Sequence, residues 1–238
     1  MASKSALKDP IILVQSFAAT GHATPLLQVA QYLIQHGYDV YYLGGTQFQL
    51  ASEAVGAKFI PFIGLCDTWH RDWNPVHGFG TGLEIIPSIM GLLAATLPSM
   101  LYSLQRALSL LREKEPDREV VVVSDTSASG GVAALRLGAA LPEGYSKPPK
   151  FLGISIGPPK WTSLEHNDFY FDIPFDPNRG RRLNILMAKL TRDGIYKEPW
   201  NTTKRILETC SAFKPIESLF GEHDVHSFAR IPHLGLAV

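Results

Sequence analysis

The sequence predicts an α/β fold, in which a Rossmann-like parallel sheet carries helices on both faces. Short apolar runs of strand type alternate along the chain with longer segments whose apolar residues recur at helical spacing. The run Val120–Val123 is uncharged and β-branched, which is typical of a central parallel strand. Gly37 and Gly56 stand where the first two predicted helices end, a position that favours glycine. The alternation therefore indicates successive βαβ units.

The predicted strands cover residues 11–17, 39–45, 58–64, 119–125 and 151–156. The predicted helices cover residues 25–36, 46–55, 83–114 and 128–140, with two more near 181–192 and 202–212. The first helix is expected to begin at Pro25, because the missing N–H of proline has no partner in a first turn. The third contains an uncharged stretch, 85–105, that is long enough to span a membrane. Pro87 and Pro98 interrupt that stretch, so we interpret it as a long, partly buried helix that kinks near Pro98.

The chain of 238 residues is expected to form a Rossmann-like domain over residues 1–157 and a mostly helical extension over 158–238. Its 22 basic and 22 acidic residues cancel, which argues against nucleic acid or an anionic membrane as the main partner. Cys66 and Cys210 lie far apart, and the N-terminus has no apolar core of signal-peptide type. These features predict a cytoplasmic protein with free thiols.

A candidate catalytic histidine stands where the first strand gives way to the first helix. Gly21-His22 follows the apolar run 11–17, and such a corner lies at the carboxyl edge of an open sheet, where ligands bind. Asp125 ends the valine strand at the same edge and could accept the Nδ1 proton of His22, which would fix its tautomer. The alternatives are a structural loop histidine, and an aspartate that caps the helix through the amides of residues 126–128.

Aromatic residues near this edge predict a pocket for a hydrophobic or ring-shaped molecule. Trp69, Trp73 and Phe79 share one expected loop, and Phe17 ends the first predicted strand. Local packing is the alternative interpretation of this loop. The acidic and histidine residues of the same region match no standard metal-site spacing, so no metal is expected; they are Asp67, His70, Asp72 and His77.

Two further motifs receive weaker interpretations. Gly153-Ile154-Ser155-Ile156-Gly157 matches the pattern around the nucleophile of serine hydrolases, but that pattern needs a helix after the serine, and Pro158-Pro159 follows here. No G-x-G-x-x-G follows the first strand, so a dinucleotide cofactor is not expected.

The N-terminal part of the chain, roughly residues 10–157, resembles the N-terminal domain of family 1 glycosyltransferases, which use nucleotide sugars and have the two-domain GT-B architecture. The resemblance rests on three segments: Gly21-His22-Ala23-Thr24-Pro25-Leu26-Leu27, His36-Gly37-Tyr38-Asp39-Val40, and Asp125 with the helix-like run Val132–Gly138. It implies that His22 is the general base that deprotonates the acceptor hydroxyl, and that Asp125 orients and charges it. It further implies an acceptor pocket in this domain and a UDP-sugar as co-substrate, with no cofactor.

The sequence shows no second Rossmann-like domain and no donor-binding signature, so we expect a truncated chain that lacks the donor half. A partner chain or a homodimer would then supply that half. The predicted function is transfer of a hexosyl group to a hydroxyl of a lipophilic small molecule. The alternatives are a non-catalytic acceptor-binding or regulatory module on the same scaffold, and a serine hydrolase that uses Ser155.

Overall fold

A computed structural model describes residues 9–72, 82–125 and 130–156, together with residues 201, 204–206 and 208–209. Its strands are β1 (Ile11–Gln15), β2 (Asp39–Gly44), β3 (Lys58–Pro61), β4 (Val120–Asp125) and β5 (Lys150–Ile154). Its helices are α1 (Thr20–Gln35), α2 (Gln49–Ala54), α3 (Leu65–Asp72), α4 (Gly82–Lys114) and α5 (Gly130–Arg136), with a short 3-10 turn over Thr46–Phe48 before α2.

The five strands form one parallel sheet in the order β3-β2-β1-β4-β5. The chain first builds outward from β1 through β2 to β3, and then crosses back so that β4 pairs with the other side of β1. The switch point of the sheet therefore lies between β1 and β4, where Gln15 pairs with Ser124. The predicted α/β class with a parallel sheet is confirmed.

Helices cover the two faces of the sheet and divide the core in two. One face packs against α4 and α5 through the side chains of Leu13, Leu43, Val122 and their neighbours. The other face packs against α1 through Val14, Tyr42, Val123 and their neighbours. Because successive side chains of a strand point to opposite faces, strands with apolar residues in an unbroken run fit a sheet that is buried on both sides.

The first helix begins five residues before the predicted start. Thr20 is its first residue, so Gly21 and His22 belong to its first turn. Pro25 lies inside the helix, where its missing N–H leaves the Gly21 carbonyl without the usual donor. The predicted start was wrong because proline is frequent in the first turn of helices. A helix that has proline in its second turn shows the same apolar spacing after the proline, so the sequence does not distinguish the two cases.

The structure contains one helix that the sequence analysis assigned to a loop. Residues Leu65–Asp72 form α3, which carries Trp69. The predicted strand 58–64 is correspondingly shorter and ends at Pro61, where Phe62 donates its backbone N–H to the Gly44 carbonyl. Strand 151–156 also ends early, so Ser155 follows β5 as an exposed residue instead of lying within it.

Helix α5 lies close against helix α4. A Cβ added to Gly131 would lie 3.2 Å from the backbone of Met100 and of Leu101. The close approach of α5 to α4 is therefore possible because residue 131 is glycine.

At the amino edge of the sheet, the Asp39 carboxylate forms ion pairs with Lys58, at 2.7 Å, and with Arg118, at 2.9 Å. Burial would raise the pKa of Asp39, but the hydrogen bonds from these two cations hold it below its ordinary value.

The predicted long helix is confirmed as α4, which includes Pro98, and the predicted kink near this proline stays a prediction. Within the described residues, none of the helices combines the length and the apolar character that crossing a membrane requires. The predicted boundary at residue 157 and the helix near 181–192 fall outside the described residues, as does most of the extension, so the domain division stays a prediction.

Candidate active site

The switch point of the sheet brings His22 and Asp125 together. Asp125 is the last residue of β4, and His22 lies in the first turn of the helix that follows the neighbouring strand β1. Crevices at the carboxyl ends of strands on either side of a switch point are where open α/β sheets bind ligands. Two residues 103 positions apart in sequence thus meet at the place where the fold favours a site.

The imidazole of His22 faces the carboxylate of Asp125 through its Nδ1 atom. Nδ1 lies 3.4 Å from Oδ2 of Asp125, which is ion-pair distance but longer than a good hydrogen bond. Nδ1 is buried, whereas the His22 side chain as a whole is 28% exposed, so its accessible surface belongs to the other atoms of the side chain. A distance of this length is common between catalytic side chains before substrate binds, because such hydrogen bonds often shorten only in the complex.

Asp125 is anchored by the backbone of the turn between β1 and α1. The N–H of Phe17 donates to Oδ2 of Asp125 at 2.8 Å, and the Asp125 side chain is completely buried. The same oxygen therefore receives the Phe17 amide and faces His22. The suggested capping of residues 126–128 by Asp125 falls outside the described residues.

An aromatic wall stands beside this pair. Phe17 and Trp69 are stacked, with ring centroids 5.1 Å apart and an angle of 22° between their planes. Phe17 also meets the His22 ring edge-on, at 5.5 Å between centroids. The structure thus places four of the predicted site residues in contiguous contact, while Trp73 and Phe79 lie outside the described residues.

Asp67 holds the neighbouring loops together at this edge. One of its oxygens accepts hydrogen bonds from the backbone N–H of Thr46, at 2.6 Å, and from the Thr46 hydroxyl, at 3.0 Å. Gln47, in the same loop, donates its side-chain amide to the carbonyl of Ala18 at 3.1 Å. These hydrogen bonds link the turn after β1, the loop after β2 and helix α3. Asp67 therefore has a structural role at this edge of the sheet.

Tyr42 lies below the site and was not singled out from the sequence. Its side chain is fully buried on the α1 face of the sheet. Burial, together with the nearby charge of Asp125, raises the pKa of Tyr42 to about 12. A tyrosine within a strand that is otherwise apolar was the available signal, although such residues also occur in ordinary cores.

The chain is similar in sequence to UDP-glucosyltransferases. It is 26% identical over 151 residues to UDP-glucosyltransferase 1 of Beauveria bassiana (strain ARSEF 2860), a match that covers 60% of this chain and 31% of that protein. It is 26% identical over 225 residues to UDP-glucosyltransferase B1 of Starmerella bombicola, covering 90% of this chain and 46% of that protein. The chain resembles UDP-glycosyltransferases. The resemblance to the N-terminal domain of UDP-glycosyltransferases, expected from the His22 and Asp125 segments, is thereby confirmed.

The match to these UDP-glycosyltransferases is partial in length. The chain spans less than half of each of these two curated relatives. No family model matches it. Neither the serine hydrolase nor the non-catalytic module is favoured by these relatives.

Solved structures of glycosyltransferases also show a low similarity to the chain. The glycosyltransferase of kitacinnamycin is 16% identical, with a TM-score of 0.48, over 88% of this chain and 43% of that one. CalG4, the calicheamicin glycosyltransferase, is 18% identical, with a TM-score of 0.45, over 82% of this chain and 46% of that one.

Grouping of acidic, histidine and cysteine side chains can be described for the part of the chain that the structure covers. Within those residues, no group of three or more His, Cys, Asp or Glu side chains is placed to hold a metal ion. His77, one of the four residues considered for a metal site, lies outside the described residues, and Asp67 is bound to Thr46.

Proposed function

We propose that this chain is the acceptor-binding half of an inverting UDP-glycosyltransferase with GT-B architecture, and that His22 is its general base. The reaction is transfer of a hexosyl group from a UDP-sugar to a hydroxyl of a lipophilic small molecule. The observation that carries the proposal is the approach of His22 Nδ1 to the buried carboxylate of Asp125 at the switch point. Sequence similarity to UDP-glucosyltransferases supports the reaction class.

The geometry assigns different tasks to the two nitrogens of His22. With Asp125 opposite Nδ1, the neutral imidazole is favoured with its proton on Nδ1, so that Nε2 is left as the proton acceptor. Nε2 takes the proton of the acceptor hydroxyl while that oxygen attacks the anomeric carbon of the sugar. The bond from the anomeric carbon to UDP breaks, UDP leaves with the bonding electron pair, and the configuration inverts.

Asp125 acts through His22 and does not touch the acceptor in this proposal. The imidazolium that forms when His22 takes a proton is stabilised by the carboxylate 3.4 Å from Nδ1. Because the Phe17 amide holds the same carboxylate oxygen, the position of the dyad is coupled to the position of the aromatic wall.

The acceptor is proposed to lie against Phe17 and Trp69. A stacked aromatic pair beside a base suits a molecule with a ring or an extended apolar body that carries one hydroxyl. Trp73 and Phe79 are proposed to extend this wall. Their placement is a proposal from sequence, since they lie outside the described residues.

The donor half is proposed to come from residues other than those described, whether in the same protein, in a partner chain or in a second copy. A diphosphate needs cationic side chains or helix N-termini around it. The described dyad and aromatic wall supply a base and an apolar surface instead. The UDP-sugar enters as a co-substrate, and neither a cofactor nor a metal is proposed.

A transfer assay tests the proposed base. The chain, alone and fused in frame to the C-terminal half of UDP-glucosyltransferase B1, is incubated with UDP-glucose and the fluorescent phenol 4-methylumbelliferone, and glucoside formation is followed. His22→Ala should lower the rate by about 10²-fold to 10⁴-fold. His36→Ala is the matched control, because His36 is exposed beyond the other end of α1 and should be dispensable.

A second measurement tests the dyad without turnover. The ¹⁵N shifts of labelled imidazoles distinguish the two neutral tautomers, and His22 should carry its proton on Nδ1 in the wild-type chain. Asp125→Ala should shift that population toward the other tautomer, whereas His36 should not respond. A neutral His22 with its proton on Nε2 in the wild type would contradict the proposed role.

A further inference from the structure

Two serines of α4 hold the turn between β3 and α3. The hydroxyl of Ser103 accepts the backbone N–H of Ile63 at 2.9 Å, and the hydroxyl of Ser99 accepts that of Cys66 at 3.0 Å. Ser99 also donates to the Thr96 carbonyl of its own helix at 2.8 Å, which fixes the hydroxyl and turns a lone pair toward Cys66. Because residues four apart share a helix face, both serines reach the same turn.

This contact caps α3 from outside its own sequence. The first N–H groups of a helix have no partner within the helix. Those of Asp67 and Thr68 bond to the carbonyl of Gly64, and that of Cys66 bonds to Ser99, which lies 33 residues later in the chain. Gly64 has φ +78° and carries no side chain that could cap the helix itself. The start of α3 therefore depends on α4.

The capped turn leads into the helix that carries Trp69. Trp69 is three residues after Cys66 in α3, so the two lie on neighbouring positions of one helix face. Its ring stacks on Phe17, whose own backbone holds Asp125. A shift of the α3 start relative to α4 would move the indole relative to Phe17 and change the width of the aromatic wall.

We propose that Ser99 and Ser103 are positioning residues for acceptor binding, which act by clamping α3 to α4 and so holding Trp69 against Phe17. The proposal rests on the proposed function, since it assumes that Phe17 and Trp69 contact the acceptor. The clamp does not touch the reacting atoms. Its loss should weaken acceptor binding while the proton transfer by His22 is spared.

Fluorine NMR tests the clamp directly. With 5-fluorotryptophan in place of the four tryptophans, the Trp69 resonance is assigned by its loss in Trp69→Phe. Ser99→Ala and Ser103→Ala should each shift or broaden it. Ser52→Ala is the matched control, because it removes another buried serine hydroxyl, one that bonds only to its own helix at the Gln49 carbonyl. An unchanged Trp69 resonance in both alanine variants would overturn the proposal.

The alanine variants are expected to fold. Alanine is the better helix former, so α4 itself is not weakened by the change. Should Ser99→Ala fail to fold, Ser99→Cys keeps the size of the side chain with a poorer acceptor. It should then give a smaller displacement of the same resonance, and an unchanged resonance would again refute the clamp.

Binding of 4-methylumbelliferone, followed by fluorescence anisotropy, separates this proposal from the proposed function. Each serine variant should raise the dissociation constant by up to about tenfold, because the energy of the lost hydrogen bond limits the effect that a displaced Trp69 can have on binding. In the transfer assay the change should appear in KM for the phenol and not in kcat. Unchanged affinity in Trp69→Ala would refute the acceptor wall, whereas weakened Trp69→Ala with unaffected serine variants would refute only the clamp.

Discussion

Replacement of Asp125 separates its proposed catalytic contribution from its structural one. Asp125→Asn removes the charge but leaves an oxygen that can still accept the Phe17 amide, now 2.8 Å away. Asp125→Ala removes both the charge and that acceptor. We therefore expect the first variant to lose transfer activity with little loss of stability, and the second to lose both.

The structure sets the size of each effect. At an effective dielectric constant of about 20, unit charges 3.4 Å apart attract by about 5 kcal/mol before screening by water is counted. Because the His22 side chain is 28% exposed, water screens part of this attraction, so Asp125→Asn should lower kcat by about 10²-fold to 10³-fold. A lost hydrogen bond to a buried carboxylate costs about 1.5–3 kcal/mol. For a chain of this length, Asp125→Ala should then lower Tm by roughly 3–12 °C.

Calorimetry and the transfer assay on the same preparations measure the two effects. The double variant His22→Ala with Asp125→Asn should be no slower than His22→Ala alone, because the carboxylate acts through the imidazole. If the two losses multiply as independent factors, the dyad is wrong and Asp125 is a structural residue of the turn.

Three further outcomes follow from the described packing and charges. Gly131→Ala should lower the free energy of unfolding by about 1–3 kcal/mol in denaturant titrations, since its Cβ would press on the backbone of α4. Gly21→Ala, whose Cβ would meet nothing within 4 Å, should not. The lowered pKa of Asp39 stabilises the fold above the ordinary value of 3.8, and that contribution is lost as the pH falls through the folded pKa. Asp39→Asn should therefore show less acid destabilisation than wild type, and identical profiles would refute this. Trp69→Ala should weaken 4-methylumbelliferone binding about tenfold, whereas Tyr102→Ala, which removes an exposed aromatic ring, should not.

The strands of the sheet were predictable because the residues that specify each strand are adjacent in the sequence. Each strand is a short apolar run between turn residues, and β4 in particular, with four consecutive valines, fits no solvated surface. The pairing of His22 with Asp125 followed from topology, since residues at the carboxyl ends of parallel strands share one edge. The distance between them did not follow, because it depends on how the turn after β1 folds over Asp125 through the Phe17 amide.

The start of α1 shows a limit of local rules. Pro25 favours the first turn of a helix, and the sequence before it contains glycine, histidine and small residues that suit a turn equally well. In the structure Ala19 precedes the helix without a side-chain cap, and the amides of His22 and Ala23 bond to its carbonyl. No capping residue marks this start, so the sequence offered proline as the only boundary signal.

The absence of α3 from the prediction has a different cause. Segment 65–72 carries Trp69 and several polar residues, and Gly64 before it offers no capping side chain, so the segment is typical of a loop. A backbone N–H of its first turn, that of Cys66, bonds instead to the hydroxyl of Ser99, which is supplied by a helix that comes later in the chain. When the capping residue comes from a distant part of the chain, the sequence next to the capped helix contains no capping signal. If the proposed clamp holds Trp69 against Phe17, substitutions at Ser99 or Ser103 should alter acceptor binding although neither serine belongs to the aromatic wall.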